Sequence, residues 1–534
     1  MTHPVSSQRP SRRLVLQGIG ASFVLLSTTA LTGPGFAQAQ SATSFAFSFE
    51  DLTARMREMA AGPYQAPSFK LPDLFAGLDY DAYRKIQYRG DHGKWADLDA
   101  GYQVHGFHLG WLFPEPVKLY ELDGGMATPF SFAAADFEYH DVTLGAQAAK
   151  VDFPGVAGFR LNYPLNAPDK VDELVSFLGA SYFRALGRDN VYGQSARGLL
   201  LNSWLEGPEE FPRFSEFYLE RPTIGAPLVL YAALDSQSVT GAYRFEITPA
   251  SDAAQGTIMA VTARLFFRAD VAELGVAPLT SMFLYGETNR ASFDDYRPQV
   301  HDTNGLSITR ETGEVMWRPL NNAPAIGNSY LWENNPRSFG LNQRGRDFET
   351  YQDAGAHYER RPSVHVEPIG DWGQGHIRLI EIPSKLEVDD NIVAFWIPVD
   401  PVKAGQEREF RYRLLWGDLA PDGTALGYVV ETRAGAGGVS GVENAQNLRK
   451  FVVDFAGGEL EEWEPETPPD VLANVSSGTI MTSTVSKVEA NGVWRLVLDV
   501  EAAEDGMPME LKAYLVGGGK QLTETWLYQW RAAA

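Results

Sequence analysis

The sequence predicts a mainly β protein, with a large antiparallel β-domain followed by a smaller immunoglobulin-like sandwich. Three observations carry this. From about Phe107 onward, apolar and polar residues alternate in short runs rather than with the helical period. Gly (51) and Pro (32) recur between those runs as turn punctuation. After a stretch rich in Gly, Ala and Asp at 418–441, the chain closes with five more strand patterns.

The elements follow in order. Residues 50–61 have the spacing of a short amphipathic helix. Strands are expected at Val117–Leu122, Phe130–Phe137, Phe159–Leu165, Tyr243–Thr248, Met259–Phe267 and Arg408–Trp416. The run Val171–Leu178 is expected to be helical, and 178–186 irregular. The stretch 418–441 reads as a linker. Beyond it lie Lys450–Phe455, Gly478–Val485, Trp494–Val500, Met509–Leu515 and Thr523–Trp530. The chain thus divides into 1–39, a large domain at 40–417, the linker, and an immunoglobulin-like domain at 442–534.

Bulk composition narrows the function. A chain of 534 residues is too long for one ordinary core, although large β-domains weaken any domain count. With 44% hydrophobic and 21% charged residues it is globular rather than disordered. A net charge of −23 leaves no footprint for nucleic acid or an anionic membrane surface, and tolerates a neutral polymer. The absence of cysteine excludes disulfides, thiol nucleophiles and thiolate metal sites. Core burial alone must hold the fold.

Residues 1–39 read as an export signal. Ser11-Arg12-Arg13-Leu14-Val15-Leu16 resembles a twin-arginine motif, a weakly apolar run extends from Leu14 to Leu31, and Ala37-Gln38-Ala39 supplies a cleavage site. The mature chain would start at Gln40, in the periplasm. Gln17, Gly and several Ser/Thr make the run a poor membrane span, and no later segment is long and apolar enough to cross. No stable membrane insertion is therefore expected after signal removal.

Several motifs resolve to bland readings. Ser195 in Gly193-Gln194-Ser195-Ala196-Arg197 resembles a nucleophile elbow but has Arg where Gly is needed, so a structural or binding loop is favoured. His105 and His108 lack a third ligand and a helical context. Gly435-Ala436-Gly437-Gly438 is not set between a strand and a helix, as a phosphate loop would be.

The region 301–396 is different. It crowds together His301-Asp302-Thr303-Asn304-Gly305-Leu306, Trp317-Arg318-Pro319-Leu320-Asn321-Asn322, His357-Tyr358-Glu359-Arg360-Arg361-Pro362-Ser363 and Glu387-Val388-Asp389-Asp390-Asn391-Ile392-Val393. Glycoside cleavage needs one carboxylic acid to protonate the leaving oxygen and a second carboxylate to activate water or attack carbon. Asp389 and Asp390 are adjacent, so on a strand they point to opposite faces and only one enters a cleft. Asp302 is the attractive partner. Trp317, Trp332, Tyr358 and Trp372 offer stacking faces, and Arg318, Arg361 and Asn322 offer hydroxyl contacts. Solvated turn and pre-strand acids remain the plainer alternative on pattern alone.

Those segments, taken with others, resemble the OpgG/OpgD (MdoG/MdoD) family. The others are Phe107-His108-Leu109-Gly110-Trp111, Leu161-Asn162-Tyr163-Pro164-Leu165-Asn166, Phe177-Leu178-Gly179-Ala180-Ser181-Tyr182-Phe183-Arg184-Ala185-Leu186-Gly187, Tyr192-Gly193-Gln194-Ser195 and Thr523-Glu524-Thr525-Trp526. The match runs from about residue 45 to the end, and the twin-arginine leader favours the OpgD-like branch. The resemblance implies a galactose-mutarotase-like sandwich before the immunoglobulin-like domain. It implies action on β-1,2-glucan in osmoregulated periplasmic glucan synthesis, as an inverting endo-β-1,2-glucanase or a related transglycosylase. It implies Asp390 as general acid and Asp302 as general base, acting directly or through a relay, with Tyr358, Arg361 and Glu387 near the cleft. It implies no cofactor and no metal. A non-catalytic scaffold that guides glucan from a membrane synthase is the reading from another class. Oligomeric state and hydrolysis versus transfer stay open at this point.

Overall fold

The computed structural model describes residues 43–252, 255–421, 425–439, 441, 447–503 and 506–532. The export signal expected at 1–39 lies outside the described residues. Among them, no helix is long and apolar enough to cross a membrane.

The first helix forms as expected, at Phe49–Ala60. Ser48 caps it by accepting from the Asp51 amide at 3.1 Å. Its Leu52 and Met56 face inward onto the strands Leu228–Asp235 and Val239–Thr248. Beyond it the chain is almost wholly strand. Two large sheets make the body, one of sixteen strands and one of ten. The inward residues of both sheets, such as Phe245 and Val261 from one and Phe177 and Leu279 from the other, merge into one core. This is sheet-on-sheet packing, with alternate residues of each strand pointing inward.

Most strand expectations hold to within a residue or two, while the strand expected from Tyr243 begins four residues earlier, at Val239. Lys118–Asp123, Gly158–Ala167, Val239–Thr248, Thr257–Phe267 and Glu407–Gly417 are all present. Two expectations fail. The segment Lys170–Leu178 is a strand, not a helix, paired with Gly158–Ala167. Its run Leu174–Phe177 is buried on both faces, and such a short apolar run carries no periodicity to separate helix from strand. The stretch Phe130–Phe137 is not a strand. Asp136 accepts from the Ala133 amide at 2.9 Å and closes a single 3-10 turn over Ala134–Asp136. Residues 178–186 are also less irregular than expected, since Tyr182–Ala185 is a strand.

A second sandwich is built at the C-terminus. The strands Tyr428–Ala436, Leu448–Ala456, Trp494–Glu501 and Thr479–Lys487 form one layer. Thr525–Arg531, Pro508–Gly517 and Asp470–Val475 form the other. A separate core of Phe451, Trp494, Leu511 and Trp526 lies between them. Part of the stretch read as a linker belongs to this sandwich, because Ala434 and Gly435 pair with Phe451 and Lys450. Small residues satisfy backbone pairing as well as large ones do, so composition alone misreads them.

The two sandwiches share a sheet. Val315–Pro319 of the large domain pairs in parallel with Thr525–Arg531, Trp317 opposite Trp526. The sixteen-stranded sheet therefore runs without a break into the C-terminal domain.

Candidate functional site

The two acids meet at one short piece of backbone. The Asp302 amide donates to the Met282 carbonyl at 2.9 Å. Next to it, the Asn391 side chain receives the Phe283 amide at 2.8 Å and donates to the Phe283 carbonyl at 2.9 Å. It also donates to Ile382 O at 3.0 Å. Asn391 thus imitates a peptide group and completes a ladder that no strand fills. Asp390 is the residue before it. One rail, Met282–Phe283, holds both acids.

Their surroundings differ. Asp302 is 4% exposed. Arg361 Nη1 donates to its Oδ1 at 2.8 Å. Burial pushes the Asp302 carboxyl up to about 6, with Arg361 opposing and the charge of Asp390 adding to the rise. Asp390 is exposed. Its neighbour Asp389 takes no part, because its Oδ2 accepts from Ser384 Oγ at 2.8 Å.

Glu387 and Tyr358 form the next layer. The Tyr358 hydroxyl donates to Glu387 Oε1. Burial pushes Glu387 up, but hydrogen bonds from Arg297 and Tyr358 outweigh it and hold the carboxyl below its usual value. Arg297 is the hub of this cluster, reaching Asp353 at 2.7 Å, Asp295 at 2.8 Å and Glu387 at 2.9 Å. His357, left-handed at φ 49°, turns the chain into the Tyr358–Arg360 turn. Arg361 follows that turn. Its guanidinium stacks 4.7 Å from the Tyr358 ring and is anchored on Ala356 O.

The other residues singled out by sequence fall elsewhere. Asn322 pins the acid-bearing loop, donating to Leu284 O at 2.9 Å and Ser384 O at 2.7 Å. It is a brace, not a hydroxyl contact. Arg318 is buried in an ion pair with Glu381 at 2.9 Å. Trp317 is 2% exposed. Its ring covers Gly305 so closely that a Cβ there would meet it at 2.1 Å, and Arg344 stacks 3.5 Å above it. Trp372 packs against Trp396, Phe410 and Tyr412 in the main core. Neither tryptophan offers a free stacking face. Trp332 is open but distant. Through His376 it registers with Ile397, five residues from Ile392 at the Asp390 end of the sheet. That is about 17 Å along the strands.

Sequence reasoning passed over three contributors. Arg184 sits 4.1 Å from the exposed Tyr192 ring, which Arg361 also faces at 5.4 Å. Arg184 feels the charge of Asp390, and Asp302 feels that of Arg184. Its Nη1 is buried without a hydrogen-bond partner. Arg297 is the third. Arg184 lay inside a quoted motif, but nothing in a linear pattern marks which arginine turns inward.

The remaining motifs have structural roles. Ser195 lies in a buried strand, Ser195–Arg197, rather than a loop, and Arg197 pairs with Glu209 at 2.7 Å. His105 and His108 are core histidines that burial depresses to about 4.

A family model described as "Periplasmic glucan biosynthesis protein, MdoG" matches residues 47–530. The chain is 52% identical to "Glucans biosynthesis protein G" of Cereibacter sphaeroides, covering 99% of each chain. It is 43% identical to "Glucans biosynthesis protein D" of Xylella fastidiosa, over 91% of this chain and 90% of that one. It is 41% identical to "Glucans biosynthesis protein G" of Ralstonia nicotianae, over 92% and 97%. Proteins of both names match, so the comparisons leave the branch open. With the match spanning both sandwiches and every motif of the acid cluster, the chain belongs to the MdoG family of periplasmic glucan biosynthesis proteins.

Proposed function

We propose that the protein is an exported, periplasmic β-1,2-glucan-active enzyme, an inverting endo-β-1,2-glucanase with Asp390 as general acid and Asp302 as general base. One observation supports this most. A buried carboxylate and an exposed one are fixed to the same Met282–Phe283 rail and feel each other's charge. A pure glucan binder has no need of that pair.

The roles follow from access and basicity. Asp390, which is exposed, is placed to reach the leaving oxygen of a polymer lying across the cleft. Asp302 is mostly ionised at pH 7 with its pKa near 6, which suits a general base working at that pH. Its burial means that it acts through a water or substrate hydroxyl that enters with the glucan. Arg361 holds its charge and orientation. Arg184 and Tyr192 present a charged donor and a ring face for sugar, and Glu387 with Tyr358 fixes the loop from which Asp390 projects. The division into a glucan-active large sandwich and an immunoglobulin-like C-terminal sandwich, which takes in Tyr428–Ala436 as well as the stretch expected at 442–534, belongs to the same proposal.

Transfer to an acceptor glucan uses the same acids, and the buried base favours it wherever an acceptor hydroxyl displaces water. The test is to incubate the mature protein with linear β-1,2-glucan and size the products, alongside Asp390→Asn and Asp302→Asn. Each substitution is expected to lower turnover at least about a hundredfold. Shorter products mean hydrolysis, and a redistributed length profile means transfer. Binding without any change of the polymer would replace the enzyme by a scaffold for the membrane glucan synthase.

A further inference from the structure

We propose that Glu431 of the C-terminal sandwich is a positioning residue for Asp302. Through Gln299 it decides which nitrogen of His301 carries the proton, and the His301 ring sets the backbone from which Asp302 projects. Its bearing on turnover rests on the reading of Asp302 as the base.

The chain of contacts is short. Gln299 and His301 are both buried. Gln299 Nε2 donates to Glu431 Oε2 at 3.1 Å, and Glu431 Oε1 accepts from the Thr432 amide at 2.9 Å. Burial raises the Glu431 carboxyl to about 6, against Arg433, Gln299 and the Thr432 amide. At pH 7 it is therefore mostly ionised and can only accept. With its NH₂ committed to Glu431, the Gln299 amide turns Oε1 toward His301, whose Nε2 lies 2.8 Å away. A carbonyl oxygen cannot donate, so the proton between them belongs to Nε2.

The ring has a second oxygen to choose. Gln343 is fixed by its Nε2, which donates to His301 O at 2.8 Å and Tyr358 O at 3.2 Å. Its Oε1 and His301 Nδ1 are each buried without a hydrogen-bond partner. Burial depresses the His301 ring to about 3, with the Gln343 side chain opposing. The ring is therefore neutral and has one proton for two amide oxygens. Without Glu431, Gln299 is free to turn over and offer its NH₂ to Nε2. The proton then belongs on Nδ1, toward Gln343.

That choice reaches the acids. The His301 ring stacks on Phe283, 5.2 Å between centroids and 12° from parallel, and meets Tyr351 edge-on. Phe283 pairs with His301 and is the residue that Asn391 grips. Asp302 follows His301 directly. A ring drawn from Gln299 toward Gln343 shifts the rail under both acids, and a misplacement of about 1 Å can cost about a hundredfold in rate.

The strand that carries Glu431 is shaped for this contact. A bulge between Val429 and Glu431 interrupts its pairing with Leu448–Ala456, and bulges re-aim side chains. Val430 is left exposed while Glu431 meets the large domain. As glue the contact is poor, because a half-buried carboxylate bonded to amides still bears its desolvation. Arg344 with Glu524 and the shared strand pairing already join the domains. A cavity of about 20 Å³ beside Gln299 and Glu431 has room for about one water. The test therefore keeps the bulk of residue 431.

The mature chain, labelled with ¹⁵N-histidine, is compared with Glu431→Met and with the exchanged pair Gln299→Glu, Glu431→Gln. Signals of His301 are those lost in His301→Asn. The wild type is expected to carry the proton on Nε2 at pH 7. In Glu431→Met it is expected to move to Nδ1, and kcat on linear β-1,2-glucan to fall at least about tenfold with KM within about twofold. The exchanged pair again sets an acceptor against Nε2 and must restore both. An unmoved proton in Glu431→Met overturns the inference even if turnover falls, because the residue is then structural. A moved proton with unchanged kcat overturns it, as does an exchanged pair that restores neither. An inactive wild type removes the base reading and this inference together. An active wild type with an unaffected Glu431→Met removes this inference alone.

Discussion

Asp302 and Asp390 carry the same carboxyl and differ in solvent and neighbours. Burial raises Asp302 from 3.8 to about 6, against the pull of Arg361. In the proposed base role it must be ionised, so kcat/KM is expected to rise with pH through about 6, and to fall again on the alkaline side as Asp390, the proposed acid, loses its proton. Replacing Arg361 with Met removes a charge that lowers this pKa, and the acid limb is expected to move to higher pH. A pH–rate profile of both proteins checks this, and a limb that stays in place would remove Arg361 from the electrostatics of the site. The sign for stability is opposite to the usual carboxylate. Between pH 6 and 4 the folded protein holds this proton while the unfolded chain releases it. The group therefore favours folding on acidification through that window. The tryptophans divide at the same scale. Trp317→Ala should cost about 3–5 kcal/mol by emptying a packed site over Gly305. Trp332→Ala, on an open face, should change stability by no more than about 0.5 kcal/mol. Denaturant titration of the two variants separates these outcomes.

At the scale of elements, the loop from Ile382 to Asn391 matters most. It carries Glu387 and Asp390 and has no ladder of its own. Asn391 supplies one, with three hydrogen bonds to Phe283 and Ile382. Asn391→Ala leaves buried backbone groups unpaired, at about 1–3 kcal/mol each. Activity is expected to fall further than stability, because Asp390 loses its register. Asn391→Asp keeps the shape, removes the donor, and should lie between. Full activity in the alanine variant would show that the loop is held by Asn322 and Arg297 instead. The motif beginning Asp390-Asn391 was visible in the sequence, but it was read for its acid. The work of Asn391 shows only once Phe283 is seen beside it. The helix expected at Val171–Leu178 failed for a related reason, since eight residues too short to fix a period become a strand when Gly158–Ala167 lies alongside.

Across the whole molecule, the two sandwiches are joined by a continuous sheet and a buried ion pair. Arg344 reaches Glu524 at 2.6 and 3.0 Å, and Glu524 also accepts the Val429 amide at 2.6 Å. Glu524→Ala strands the Arg344 charge in the interior, at a cost of about 3–5 kcal/mol. The wild type is expected to unfold in one transition, with Glu524→Ala separating it into two, as calorimetry would reveal. Two transitions in the wild type would mean that the shared strand pairing does not couple the domains. The run Thr523-Glu524-Thr525-Trp526 is then a lock between domains. In sequence it was only a matching motif.

The sequence by itself determined the mainly β class, the place of most strands, the lack of thiol chemistry and the two acids, because alternation and short motifs are local properties of the chain. Tertiary structure decided which tryptophans are buried, that Asn322 and Arg318 brace rather than bind, and that Arg184 and Arg297 join the site. It also decided that the two domains share one sheet. Burial and pairing depend on what lies across the fold, and a residue's own neighbours in sequence carry no record of that.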